Sequence, residues 1–111
     1  MSAAPRWIGF WEQQGYGRQE MHGLELEFQN GEIEGRGLDV IGPFLFCGKF
    51  DTSGAVVMVK QYLGLHQVLY KGWYDGEGHL TGEWTLGNFR GPFQIRLARG
   101  SGSEDDIQTL K

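Results

Sequence analysis

Seven clusters of turn-forming residues cut the chain into short segments of nearly equal length, and no other feature restricts its possible folds so severely. They are Gln14-Gly15-Tyr16-Gly17, Gln29-Asn30-Gly31, Asp39-Val40-Ile41-Gly42, Asp51-Thr52-Ser53-Gly54, Leu63-Gly64-Leu65, Asp75-Gly76-Glu77-Gly78 and Gly87-Asn88-Phe89-Arg90-Gly91. Their centres lie about 11 to 14 residues apart, the interval at which short strands alternate with hairpin loops. Asn30-Gly31 is the strongest signal, because a type I′ turn needs positive φ at both central residues and this dipeptide tolerates it.

Between the turns, apolar residues recur at a period of two. Leu24, Leu26 and Phe28 alternate with Glu25 and Glu27, while Leu80, Gly82, Trp84 and Leu86 alternate with Thr81, Glu83 and Thr85. A 3.6-residue helical period fits neither stretch. Strands are predicted over 6–13, 19–28, 31–38, 42–50, 55–62, 66–74, 79–86 and 92–98. Short loops join every neighbouring pair, which describes an antiparallel meander. No amphipathic helical segment is available to cover an open sheet. The fold class is therefore all-β, an eight-stranded up-and-down barrel whose closure removes both exposed edges. Gly42-Pro43-Phe44 and Gly91-Pro92-Phe93 repeat at the predicted starts of the fourth and eighth strands, where proline need not donate to a ladder.

The 111 residues suffice for one core. The barrel domain is assigned to residues 1–99, and the small, acidic stretch 100–111 reads as a loosely ordered tail. Ten basic against fourteen acidic side chains give a net charge of −4, with no basic run longer than two, which argues against nucleic acid or an anionic membrane as partner. No apolar run approaches the ~18 residues of a membrane span, and the apolar stretch near the N-terminus is too short for a secretory signal. Cys47 is the only cysteine, so an intrachain disulfide and a multi-thiolate metal site are excluded. A cytoplasmic location is the simplest expectation.

Placing each strand's apolar set inside puts Trp11, Leu24, Leu26, Phe28, Ile33, Phe44, Phe46, Phe50, Val68, Leu80, Trp84, Phe93, Ile95 and Leu97 in the lumen. Gly35, Gly37, Gly48, Gly72 and Gly82 share those faces, an alternation of small and large residues suited to a narrow barrel. The stretch 60–72 is less ordinary. Its even positions put Lys60, Tyr62, His66 and Tyr70 on the inward face, and Asp39, in phase with Ile33, joins them. Buried groups of this kind must be paired or wet, and Asp39 with Lys60 and His66 makes a satisfied set. The odd positions Leu45, Cys47, Val57, Val59, Leu63, Leu65, Leu69 and Trp73 then form an apolar patch outside. Such a patch marks an interface, and a homodimer across a two-fold axis would bury two of them.

Gly9-Phe10-Trp11 on the first predicted strand resembles the Gly-x-Trp signature that opens calycin barrels, the lipocalins, fatty-acid-binding proteins and avidins. The resemblance spans about residues 6–98. It implies that the tryptophan packs across one barrel end, covered by a late basic residue, Arg96 or Arg99. The chain departs from the lipocalins in having no helix after the barrel, and from the fatty-acid-binding proteins in having no helix pair between its first two strands. Trp73 and Trp84 are similar to the ring-stacking tryptophans of avidin, but avidin's biotin-contacting residues find no matching positions.

Motifs for chemistry are sparse. His22, His66 and His79 lie on different strands without metal-ligand spacing, so no metal site and no cofactor is expected. Asp51-Thr52-Ser53-Gly54 reads as a turn. The expected function is a binding module for a small apolar ligand or a protein partner, with Asp39, Lys60, Tyr62, His66, Tyr70 and Trp84 as ligand-binding residues. The alternatives are a cofactor-independent lyase or isomerase, with His66 or Asp39 as base, and an oligomeric adaptor with a filled lumen. Lumen volume separates them. About 300 Å³ or more favours a ligand or a substrate, and a lumen filled by Phe44, Phe46, Phe50, Trp84 and Phe93 favours the adaptor.

Overall fold

The structure, a computed structural model, describes residues 5–98. The proposed tail 100–111 lies outside the described residues, as does Arg99. Eight strands follow the turn pattern: β1 (Arg6–Gln13), β2 (Gly17–Gln29), β3 (Glu32–Leu38), β4 (Pro43–Phe50), β5 (Ala55–Tyr62), β6 (Gln67–Tyr74), β7 (His79–Leu86) and β8 (Phe89–Leu97). Each pairs antiparallel with its neighbours in sequence, and β1 pairs with β8 from Trp7↔Leu97 to Trp11↔Phe93, closing the barrel. At the β2–β3 hairpin Asn30 has φ 55° and Gly31 φ 77°, the positive pair that a type I′ turn demands.

Turn chemistry fixes the other hairpins. The Asp51 carboxylate accepts hydrogen bonds from the Ser53 and Ala55 amides, and the Asp75 carboxylate accepts from those of Glu77 and His79. Both are self-capping aspartate turns. Strand β8 begins at Phe89, earlier than the proline signal implied, so Gly91 and Pro92 fall inside it. They precede Phe93, where pairing with β1 begins, so Pro92 takes no part in the β1–β8 ladder.

Period-two alternation decides which side chains fill the barrel. The inward set listed from the sequence is buried or packed against the core, and Trp7, Met21, Val56 and Met58 complete it. The lower end, bounded by the turns at 30–31, 51–54 and 75–78, is shut by aromatic rings. Phe28 stacks on Tyr74 with centroids 4.6 Å apart, Phe50 meets Phe28 edge-on at 5.2 Å, and Trp7 leans on Phe28 at 5.7 Å. Trp7 also donates its indole N–H to the Leu26 carbonyl oxygen at 3.2 Å. Trp11, the residue of the Gly-x-Trp match, stands towards the opposite end. The two tryptophans share the inward face of β1 four residues apart, and Trp7 is the one that packs across the closed end. Arg96 is exposed on the outer wall and covers neither ring, because its neighbours Ile95 and Leu97 take the inward phase. Among the described residues no helix is long and apolar enough to cross a membrane.

Candidate functional site

The upper end, bounded by the turns at 14–16, 39–42, 63–66 and 87–88, holds the polar groups. Asp39 directly follows β3 and is held by the β3–β4 turn, in which its carboxylate also accepts from the Ile41 amide at 2.9 Å. Its Oδ2 accepts from Lys60 Nζ at 2.6 Å, the Tyr62 hydroxyl at 2.7 Å and Trp11 Nε1 at 3.1 Å. Lys60 and Tyr62 project inward from β5 because they share the phase of Val56 and Met58. Both Asp39 and Lys60 have fully buried side chains.

Lys60 is tied down on further sides. It donates to the Tyr70 hydroxyl at 3.2 Å and lies 4.3 Å from the Phe44 ring centroid and 4.8 Å from that of Tyr62. These contacts replace hydration with a counter-ion and π faces. Burial lowers the Lys60 ammonium to about 8, and Asp39 opposes that shift without cancelling it. Burial also raises the Asp39 carboxyl, but the bonds from Lys60, Tyr62 and the Ile41 amide outweigh it and hold the carboxyl below its ordinary range. Burial and the nearby Asp39 charge push the Tyr70 hydroxyl well up, so it keeps its proton.

Above this cluster lies a recess of about 40 Å³, lined by Trp11, Ile41, Tyr62, His66, Tyr70 and Trp84 among others. Of the six expected ligand-binding residues, Tyr62, His66, Tyr70 and Trp84 line it, while Asp39 and Lys60 sit behind the two tyrosines. His66 departs from its expected place. It is exposed in the β5–β6 turn, where its ring lies 5.1 Å from that of Tyr62, and it makes no bond to Asp39 or Lys60 among the described residues. The cause is local: Leu65 N–H bonds to the Tyr62 carbonyl and Gly64 has φ 75°, so the alternation does not carry through the turn. The groups that sequence reasoning left out of the set are Trp11, as a direct donor to Asp39, together with Gln13, Ile41, Val68 and Leu86 in the lining.

The rest of the lumen is filled. Phe44, Phe46, Trp84 and Phe93 are buried and Phe50 packs on the core. Trp84 meets Trp11 edge-on at 5.7 Å and donates to the Glu12 carbonyl oxygen at 2.8 Å. On the outer wall, Leu45, Val57 and Trp73 are exposed, Trp73 to 60%, and Cys47 is exposed beside half-buried Val59 and Leu69. Leu63 and Leu65, expected in the same patch, are exposed instead in the β5–β6 turn at the upper end, because alternation stops at Tyr62. Trp73 thus faces away from the lumen and cannot stack on anything held inside.

No family model matches the chain, and no curated protein does. Among solved structures the chain is similar to a redesigned β-barrel, mFAP0, bound to DFHBI, with a TM-score of 0.57 and 15% identity over 86% of this chain and 97% of that one. At that identity the likeness is one of fold. The described chain is a closed, all-β, eight-stranded antiparallel barrel, and that architecture is what the comparison supports.

Proposed function

We propose that this barrel is a binding module whose site is the upper end, where it takes one end of a small, largely apolar molecule. The observation that carries this reading is the juxtaposition of an aromatic-lined recess with a buried polar cluster at its floor. Binding sites combine apolar walls with a few placed polar groups in this way. The recess of about 40 Å³ falls far short of the ~300 Å³ that a ligand enclosed in the lumen would need, and the filled lumen is the outcome that favours an adaptor, so binding is confined to a single terminal group at the upper end. A terminal group enters while the remainder rests on Ile41, Leu86 and the rim. The similar barrel that holds DFHBI is in keeping with a ligand on this architecture. Acid–base catalysis fits less well, because the Asp39 carboxylate already accepts four hydrogen bonds. Thermal-shift screening against a metabolite library tests the reading. A ligand selective for the native state raises the melting temperature by mass action, and a Trp84→Ala variant should lose that shift. A hit whose shift survives in that variant overturns the upper-end assignment.

A second reading concerns the outer wall. Trp73 borders a shallow groove of about 420 Å³ that Ala55, Val57, Gly72 and Gly82 also line, with Lys71 and Glu83 among its walls. This mixed surface, apolar residues with one basic and one acidic side chain, suits a second copy of the chain. Sedimentation should then report a concentration-dependent dimer that Trp73→Glu abolishes, and a monomer at all concentrations refutes it.

A further inference from the structure

The hydrogen bonds around Lys60 leave one donor without a partner. The Tyr70 hydroxyl accepts from Lys60 Nζ, yet its own proton meets no acceptor among the described residues, although the side chain is only 1% accessible. A tyrosine O–H is both donor and acceptor, and leaving a buried donor unused costs free energy comparable to a lost hydrogen bond. Tyr62 differs in this respect, because its proton goes to Asp39. Of the two tyrosines that line the recess, Tyr70 is therefore the one whose proton is uncommitted.

The surroundings narrow the acceptor. Lys60 does not line the recess, and its charge is matched by Asp39 at 2.6 Å, so the lysine is not offered to an anion there. Trp11 and Trp84 spend their indole N–H groups on Asp39 and on the Glu12 carbonyl. A carboxylate seated at the floor would surrender its hydration for the Tyr70 hydroxyl alone, a losing exchange among apolar walls, since the other side-chain donors of the lining, His66 and Gln13, stand in the turn and at the rim. A neutral carbonyl needs only one donor on its oxygen and keeps its apolar substituents against the rings.

Resting on the upper-end reading above, we infer that the ligand class is a neutral carbonyl compound, a ketone, ester or amide with an apolar body, whose oxygen accepts the Tyr70 proton. Acetophenone, its isostere α-methylstyrene with C=CH₂ in place of C=O, and benzoate are suitable probes. The indole N–H resonances of Trp11 and Trp84 report the recess, while those of Trp7 and Trp73 serve as controls at the lower end and on the outer wall. Acetophenone should bind wild-type protein about tenfold more tightly than α-methylstyrene, and benzoate should bind most weakly. Tyr70→Phe should erase the acetophenone advantage and leave α-methylstyrene unchanged. Equal binding of the two isosteres at the Trp11 and Trp84 signals, or preference for benzoate, overturns the carbonyl inference and leaves the upper-end reading standing. If no probe perturbs those signals, the upper-end reading falls and the inference falls with it. The comparison within wild-type protein decides the matter even if Tyr70→Phe does not fold.

Discussion

Cutting Asp39 back to alanine is expected to cost about 3–5 kcal/mol of stability, because it strands an ammonium inside the barrel. Lys60 would retain the Tyr70 hydroxyl and the surrounding aromatic faces, Phe44 and Tyr62 nearest, but no counter-ion, and the Ile41 amide, Tyr62 hydroxyl and Trp11 indole would lose their acceptor. Against a typical total of about 5–15 kcal/mol, that loss brings the domain close to unfolding. Lys60→Met should cost less, since Asp39 keeps three donors. The double variant should be markedly more stable than the sum of the two losses predicts, because neither charge is then left alone. Urea denaturation of the four proteins measures this, and strict additivity would mean that the two groups do not interact.

The pH profile carries the same signature. Lys60 releases its proton near 8 in the folded barrel and at 10.5 ordinarily. Between those values the unfolded chain binds more protons, so stability rises with pH. The rise ends near pH 10, where unfolded tyrosines ionise while Tyr62 and Tyr70, pushed up chiefly by burial, do not. Above that point their contribution is lost. The depressed carboxyl of Asp39 works in the other direction: its contribution is present above the ordinary carboxylate value and disappears as pH falls through the lowered one. Lys60→Met should flatten the alkaline rise and spare the acid loss from exposed Asp51 and Asp75, whose carboxyls turn hydrogen bonds hold below their ordinary values.

What the sequence makes legible is governed by the pleat. Once Val56, Met58, Val68 and Tyr70 are inside, a strict period of two forces Lys60 and Tyr62 inward and Val57 and Trp73 outward, because a one-residue slip would expose the whole apolar set. His66 escapes this logic since it lies in a turn, where alternation has no force. Trp7 is in phase with Gly9 and Trp11, so its inward direction could be read, but its place at the closed end depends on Phe28, Phe50 and Tyr74 arriving there from three other strands. The Trp11–Asp39 bond joins residues 28 apart in sequence. It exists because the curvature of the barrel brings β1 across from the β3–β4 turn, and no local pattern encodes that meeting.

Gly82→Ala should be damaging on the same scale. Gly82 on β7 lies directly opposite Gly72 on β6. A Cβ on Gly82 would fall on the Lys71 carbonyl and the Gly72 Cα, and a Cβ on Gly72 would fall on the Thr81 carbonyl and the Gly82 Cα. Both obstacles are backbone, which cannot rotate aside as a side chain can, so the added methyl must part the two strands. A loss of at least about 3 kcal/mol follows, or a fall of more than about 10 °C in melting temperature for a domain of this size. Gly64→Ala is the control. Gly64 has φ 75° and open space where its Cβ would stand, so only the backbone preference is violated, at about 1–2 kcal/mol. Melting curves that rank Gly82→Ala no worse than Gly64→Ala would mean that β6 and β7 do not touch at this point. The same contact reaches the binding end, because Trp84 stands two residues along β7 from Gly82 and pairs with Tyr70. Forcing the strands apart at the glycines would draw the Tyr70 hydroxyl away from the Trp84 ring, so any Gly82→Ala protein that still folds should bind carbonyl probes more weakly than its residual stability alone would suggest.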